Sequence, residues 1–168
     1  IYDAPEIVAH VMDCTAAFSE YMARIYAENA TAPILFMGED ICCVSGPIFS
    51  PEFLRREALP RWRKIREPIS QKGYAFIYHT DGLYGNALPL ILEEFGADAL
   101  HPIERNGLND IFEIRKRYPD TMLMGNVCCA VTLPTGTPAD VEDETLEIIE
   151  RLGPEGNIVI GSSSEVHG

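Results

Sequence analysis

The chain has 168 residues, 46% hydrophobic and 23% charged. These fractions are ordinary for a soluble globular domain, with enough chain for one real core. Thirteen Lys and Arg against 26 Asp and Glu give a net charge of -13, which argues against nucleic-acid and anionic-membrane partners, and no apolar run reaches the roughly 18 residues of a transmembrane helix.

Residues 4–29 read as a helix: Ile7, Val8, Val11, Met12, Phe18, Met22 and Ile25 recur at mostly helical spacing, with Asp3 and Pro5 at the start. Residues 1–30 lack a basic leader segment, so no signal peptide is expected, and a chain opening on Ile1 is expected to be processed or truncated. The apolar run Pro33–Gly38 suits a buried strand. Ser50 as cap, Pro51 in the first turn and Glu52 behind it open a helix that runs to Lys72, kinked at Pro60 and Pro68 and stopped by Gly73. Strands are then expected near 74–79, 97–101, 121–125 and 157–161, separated by helices ending at Phe95, spanning Leu108 to Tyr118, and running from Thr137 to Leu152. The basic stretch 55–72 and the acidic stretch 140–150 read as solvated helix faces.

No strand pair is joined by a two-residue hairpin turn in this reading. Apolar strands alternating with helices predict an α/β fold of five parallel strands covered on both faces, in one domain spanning 1–168. A barrel and an open doubly wound sheet both satisfy the pattern. No GxGxxG or GxxxxGK follows a strand, which weakens the nucleotide-binding version. The five cysteines, Cys14, Cys42, Cys43, Cys128 and Cys129, are odd in number and include two vicinal pairs. That is a poor disulfide framework, so a reducing, cytoplasmic compartment is expected.

The polar outliers gather just past the carboxyl ends of the predicted strands: Asp40, His79, Asp81, His101, Glu104, Asn126, Cys128, Glu165 and His167. Parallel α/β folds build their sites at this edge. His79 and Asp81, two apart, can project the same way and either share a metal or use the carboxylate to orient the imidazole. Glu165 and His167 offer a second acid and imidazole. The bland readings are a strand terminator for His101, a cap for Asp40 or Glu104, and small buried hydrophobes for the cysteines.

Taken together, Gly38-Glu-Asp40, GPIFSPEFLRREALPRWRKI, YHTDG, EEFGADALHPIE, GNVCCAVTLPTGTPADVEDET and GNIVIGSSSEVHG resemble the uroporphyrinogen decarboxylase family. That family includes the decarboxylase and the related methyltransferases serving corrinoid proteins or thiol coenzymes. The resemblance spans nearly the whole chain and implies an eight-stranded (β/α) barrel, of which these residues match roughly the carboxyl-terminal five strands. Such barrels run to about 250 residues, so a missing amino-terminal half or a partnering chain, including a homo-oligomer, is expected to complete the sheet. In the methyltransferase branch the strand-end motif is His-x-Cys-Gly, with a later cysteine completing a zinc site. Here His79 and Gly82 match, Asp81 stands at the cysteine, and no cysteine occurs in Ser162–Glu165.

The resemblance therefore implies a nitrogen and oxygen donor set for zinc or another divalent ion, drawn from His79, Asp81, Glu165 and His167. Asp40, His79, Asp81, Glu104 and His167 are the candidate catalytic residues, with Asp40 and Glu104 shaping the pocket. The implied activity is methyl transfer from a small methylated donor to a thiol or to a corrinoid carried by a partner protein. The alternatives are cofactor-free decarboxylation of a tetrapyrrole, in which a histidine follows the last strand where His167 stands at an offset, and a non-catalytic fragment or corrinoid-binding module.

Overall fold

The computed structural model describes residues 3–105 and 109–166. Helix α1 (Pro5–Asn29) opens on Pro5, whose missing N–H costs nothing in a first turn. Asp3 does not cap it: Ala4 is the N-cap residue and makes no side-chain bond. Strand β1 (Ile34–Gly38) lies within the predicted run but is not buried, since Ile34 and Phe36 are exposed. An element absent from the sequence reading follows, an antiparallel hairpin of β2 (Cys42–Cys43) and β3 (Gly46–Pro47). It corrects the expectation that no two-residue turn joins a strand pair. Strands of two residues leave no alternating pattern to read.

Ser50 accepts a hydrogen bond from Phe53 N at 3.2 Å and caps the next helix, with Pro51 in its first turn. The helix runs as α2 (Pro51–Phe53), a π-helical turn (Leu54–Ala58) and α3 (Leu59–Gln71). The change of helix type falls just before Pro60, which has no N–H to continue a regular ladder, whereas Pro68 stays inside α3. Strand β4 (Ala75–His79), a 3₁₀ turn (Gly85–Ala87) and a π-helical segment (Leu90–Phe95) come next. They are followed by β5 (Ala99–His101), α4 (Ile111–Arg117) and β6 (Met122–Met124). The short helix α5 (Thr132–Thr135), α6 (Pro138–Leu152) and β7 (Ile158–Val159) close the order. Helix α4 begins at Ile111, capped by Asp110 through Phe112 N and Glu113 N; Leu108, where it was expected to start, lies outside the described residues. Thr137 and Asp140 form a capping box at α6.

The sheet order is β1-β4-β5-β6-β7, and every neighbouring pair is parallel. Its register lines up Met37, Tyr78, Leu100, Leu123 and Ile158 in one row. This row faces the helices: Tyr78 lies edge-on to Trp62 at 5.2 Å and to Phe95 at 5.9 Å, and Tyr78, Leu100 and Leu123 are fully buried. The opposite row of Phe36, Ile77, Ala99 and Met122 begins with a Phe36 that is 50% exposed. Helical cover on both faces was expected; the described residues provide it for one row and leave the other partly open. On α1, Ile7, Val11, Phe18 and Tyr21 are likewise exposed.

The basic stretch is largely a solvated face, with Arg55, Arg56, Arg63, Lys64 and Lys72 exposed, although several of its cations are paired. Arg55 pairs with Glu94 and Arg66 with Asp98, while Arg61, 15% exposed, reaches Asp13 across the α1–α3 contact. The acidic stretch also has partners, with Glu147 bound to Arg105 at 2.5 Å and Glu144 accepting from Cys128 N at 3.2 Å. Among the described residues no helix is long and apolar enough to cross a membrane.

The amino-terminal edge of the sheet is tied by one buried cation. Arg115, 3% exposed, donates through Nη1 to Pro119 O (2.6 Å) and Thr121 O (2.9 Å), and through Nη2 to Gly156 O (3.2 Å) and Asn157 O (2.6 Å). These carbonyls lie just before β6 and β7. Arg115→Met keeps the apolar stem but strands four acceptors. Since an unmade buried bond costs roughly 1–3 kcal/mol, urea unfolding is expected to show a loss of about 3 kcal/mol. A loss below about 1 kcal/mol would mean that the carbonyls find other partners without cost.

Candidate functional site

His79 ends β4 and His101 ends β5, and the two are Cα partners in the parallel register. Their side chains share a face. The rings stack at 5.1 Å with a 26° interplanar angle, and the two Nδ1 atoms are 2.8 Å apart. At that distance one nitrogen carries the proton and the other accepts it. Burial, together with the neighbouring His79, holds the His101 pKa below its ordinary value, which favours a neutral His101 as acceptor. In the tautomer in which His79 donates from Nδ1, its Nε2 keeps a lone pair.

His79 Nε2 lies 3.7 Å from Asp40 Oδ1 and 3.8 Å from Asp81 Oδ1. Asp40 follows β1 and accepts a hydrogen bond from Asp81 N at 3.2 Å. The donor atoms of Asp40, His79 and Asp81 all lie within 4.8 Å of one another. The Asp81 Oδ1 atom is buried and has no hydrogen-bond partner among the described residues. Burial raises the Asp81 pKa, and the carboxylates of Asp40 and Glu165 raise it further against the opposing pull of His79.

The surroundings make room for this arrangement. Gly125 sits at φ +64, and a Cβ there would lie 2.8 Å from His101 Nε2 and 2.9 Å from Ser162 O. Phe36 reaches over from β1, its ring centroid 5.4 Å from that of His79 and 5.3 Å from that of His101. The buried Thr80 hydroxyl accepts from Ile41 N (3.0 Å) and Cys42 N (3.1 Å), fastening the β2–β3 hairpin to the loop after β4. Gly82, at φ +85, lies against that hairpin so closely that a Cβ would meet Cys43 C at 2.6 Å. Asn109 joins Gly82 O to Tyr84 N, at 2.9 and 3.2 Å.

Of the residues expected from sequence, Asp40, His79 and Asp81 come together as one cluster. Glu165, exposed in the segment after β7, is close enough for its charge to raise Asp81. Glu104 is placed differently: its Oε2 accepts from Gly82 N at 2.5 Å, so it holds the loop that carries Asp81. His167 lies outside the described residues. Asn126 and Cys128 are buried beyond β6, with Asn126 Nδ2 donating to Val159 O at 3.4 Å. Cys42 is buried too, and desolvation lifts its thiol pKa to about 11. His101, the ring partner of His79, and Gly125, which makes space for it, are the functional contributors that spacing alone underrates. The register between strands is the signal that pairs the two histidines, and a single chain does not print it.

A donor set of one imidazole and two carboxylates, with one oxygen buried and unpaired, fits a divalent cation. No protein-family model matches the chain, and no curated protein matches it. Among solved structures, a methyltransferase from Methanosarcina mazei aligns with a TM-score of 0.71 and 14% identity, over 96% of this chain and 46% of that one. At that identity the likeness is one of fold, and the chain spans less than half the length of the structure it matches.

The raised Asp81 pKa sets a sign for stability. A carboxyl group whose folded pKa lies above its unfolded value destabilises the fold once ionised; the penalty is absent below the ordinary pKa of 3.8 and complete above the raised one. In a chelator-treated sample, Asp81→Asn is therefore expected to raise the thermal midpoint at neutral pH by about 2 °C and to weaken the gain in stability on mild acidification. A lowered midpoint would show that the ionised carboxylate stabilises the metal-free fold.

Proposed function

We propose that this chain contributes the carboxyl-terminal strands of a uroporphyrinogen-decarboxylase-type (β/α) barrel and that Asp40, His79 and Asp81 hold a divalent cation used in methyl transfer. The observation that carries the reading is the convergence of three donor atoms within 4.8 Å beside a buried, unpaired Asp81 oxygen. The barrel reading is supported by the fold likeness to the methyltransferase, by helices packed on the Tyr78 row, and by an opposite row left partly open as a barrel interior would be. Further strands beside β1 would cover Phe36 and pair its free edge.

A divalent ion held by Asp40, His79 and Asp81 would supply Lewis-acid chemistry, lowering the pKa of an acceptor thiol so that it could react as thiolate at neutral pH. The protein's own part is positional. His79 would present Nε2, with its Nδ1–H donated to His101 Nδ1 at 2.8 Å. Asp40 and Asp81 supply anionic oxygens, and Glu104 fixes the Gly82 backbone so that Asp81 keeps its place. The acceptor thiol gives its proton to solvent, its sulfur forms a bond to the methyl carbon of the donor, and the bond from that carbon to the leaving group breaks with both electrons going to the leaving group. A corrinoid on a partner protein is the alternative acceptor. Decarboxylation of a polycarboxylate tetrapyrrole fits less well, because Asp40, Asp81, Glu104 and Glu165 make this edge acidic.

Titration calorimetry with Zn²⁺ tests the centre. One equivalent is expected to bind, and His79→Ala or Asp81→Ala is expected to weaken it at least about tenfold, the range seen when one ligand or its support is lost. Absence of stoichiometric binding, or unchanged affinity in both variants, overturns the metal reading. Methyl transfer to a thiol that is unaffected by chelation would overturn the mechanism while leaving the metal site intact.

A further inference from the structure

Helix α1 packs on α3, with Ala23 and Ala27 buried and Asp13 reaching Arg61 across the contact. Its outer face carries Ile7, Val11, Cys14, Phe18, Tyr21 and Ile25, all exposed. Successive members stand alternately four and three residues apart. That is the 3.5-residue repeat by which one helix keeps a single seam against a second helix.

The seam is free of carboxylates in a chain that carries 26 Asp and Glu. It is flanked by Val8, Thr15 and Met22 on one side and by His10, Ala17 and Arg24 on the other. Glu6, Asp13 and Glu20 lie off this face, and Glu20 is paired with Arg24 at 2.6 Å. Two copies at -13 each repel wherever their carboxylates meet, so this is a face on which they can touch at low cost. It is also large enough. Ile7, Val11, Phe18, Tyr21, Met22 and Ile25 are 39–65% exposed. Side chains of this size then offer on the order of 100 Å² each, and a symmetric pair roughly 1,200 Å², the lower bound of a specific interface.

The order of side chains selects the occupant and its direction. Laid antiparallel on itself, the seam sets Ile7 on Ile25, Val11 on Tyr21 and Cys14 on Phe18, so that each ring meets a smaller side chain. The small Thr15 and Ala17 then stand beside the two-fold axis and let the helices approach. A parallel pair would set ring on ring at Phe18 and Tyr21 and leave a gap at Cys14.

We propose that two copies of this chain associate through the outer face of α1 as an antiparallel, two-fold helix pair. The metal centre at the far end of the sheet takes no part in it.

Sedimentation equilibrium of the 168-residue chain, kept in chelator, tests the pairing. A monomer–dimer equilibrium is expected, with a Kd on the order of 10 µM for an interface of this size. Phe18→Glu, at an exposed position that the fold does not depend on, is expected to weaken the dimer at least about hundredfold, since each dimer loses the ring twice. Ile149→Glu, at an exposed apolar position on α6, is expected to leave it unchanged. Ile25→Glu is expected to weaken it too, and the double variant Ile7→Lys/Ile25→Glu to regain at least about tenfold, because opposite charges then face each other at both ends. In the wild-type chain, alkylation of the exposed Cys14 is expected to slow at least about threefold between about 1 and 100 µM, as mass action fills the dimer. A monomer at about 100 µM with unslowed alkylation, or open-ended aggregation, overturns the proposal; both are expected if a further barrel helix covers α1 instead. A dimer indifferent to Phe18→Glu, or a double variant no stronger than Ile25→Glu, overturns it as well. None of these readouts involves zinc, so failure here is distinct from failure of the metal reading.

Discussion

The parallel register between β4 and β5 places His79 and His101 side by side at the end of the sheet, and the arrangement of the edge follows from that pairing. Two imidazoles stacked 5.1 Å apart do not both carry a charge at modest cost, because like charges disfavour each other at this range. A single shared hydrogen bond meets the constraint and leaves one ring nitrogen of His79 turned to the carboxylates. The bulk of two rings must also fit. Gly125 gives up its side chain to accommodate His101, and Phe36 closes the stack from β1.

The carboxylates gathered there work against the stability of the fold. Asp40, Asp81 and Glu165 are like charges on a chain already at -13. Such a cluster persists because the backbone around it is over-determined. Thr80 anchors the hairpin, Gly82 lies flush on Cys43, and Asn109 and Glu104 each hold the loop by a separate bond. Local rules broken at one edge and compensated by dense hydrogen bonding around it single out this edge as the candidate site.

Much of the architecture was legible in the residues. Ser50-Pro51, Gly96 and Thr137–Asp140 are punctuation whose chemistry is local, so the helix ends they mark fall where expected, whereas Asp110 caps a helix that begins at Ile111, past the expected start at Leu108. The five strands were found because each is an apolar run between such marks, although β5, β6 and β7 prove shorter than their runs. The β2–β3 hairpin was invisible because two-residue strands carry no period. The grouping of Asp40, His79 and Asp81 was accessible from strand-end position alone, whereas the His101 pairing needed the register and the support given by Glu104 needed the loop path. The charged stretches are mostly solvated as read; what the residues alone do not show is pairs such as Arg61 with Asp13, which join residues distant in sequence.

The two edges of the sheet differ in how they are held. Before β6 and β7 one guanidinium, Arg115, grips four main-chain oxygens from two connections, and before β5 Asp98 accepts from both Phe76 N and Arg66. These bonds engage backbone, so they constrain the path of the chain and are indifferent to which side chains stand at the far end of the strands. The platform is thereby uncoupled from its chemistry. The side chains at the opposite edge can be exchanged with little effect on the frame that carries them, so one scaffold can present different chemistry by changing a few loop residues.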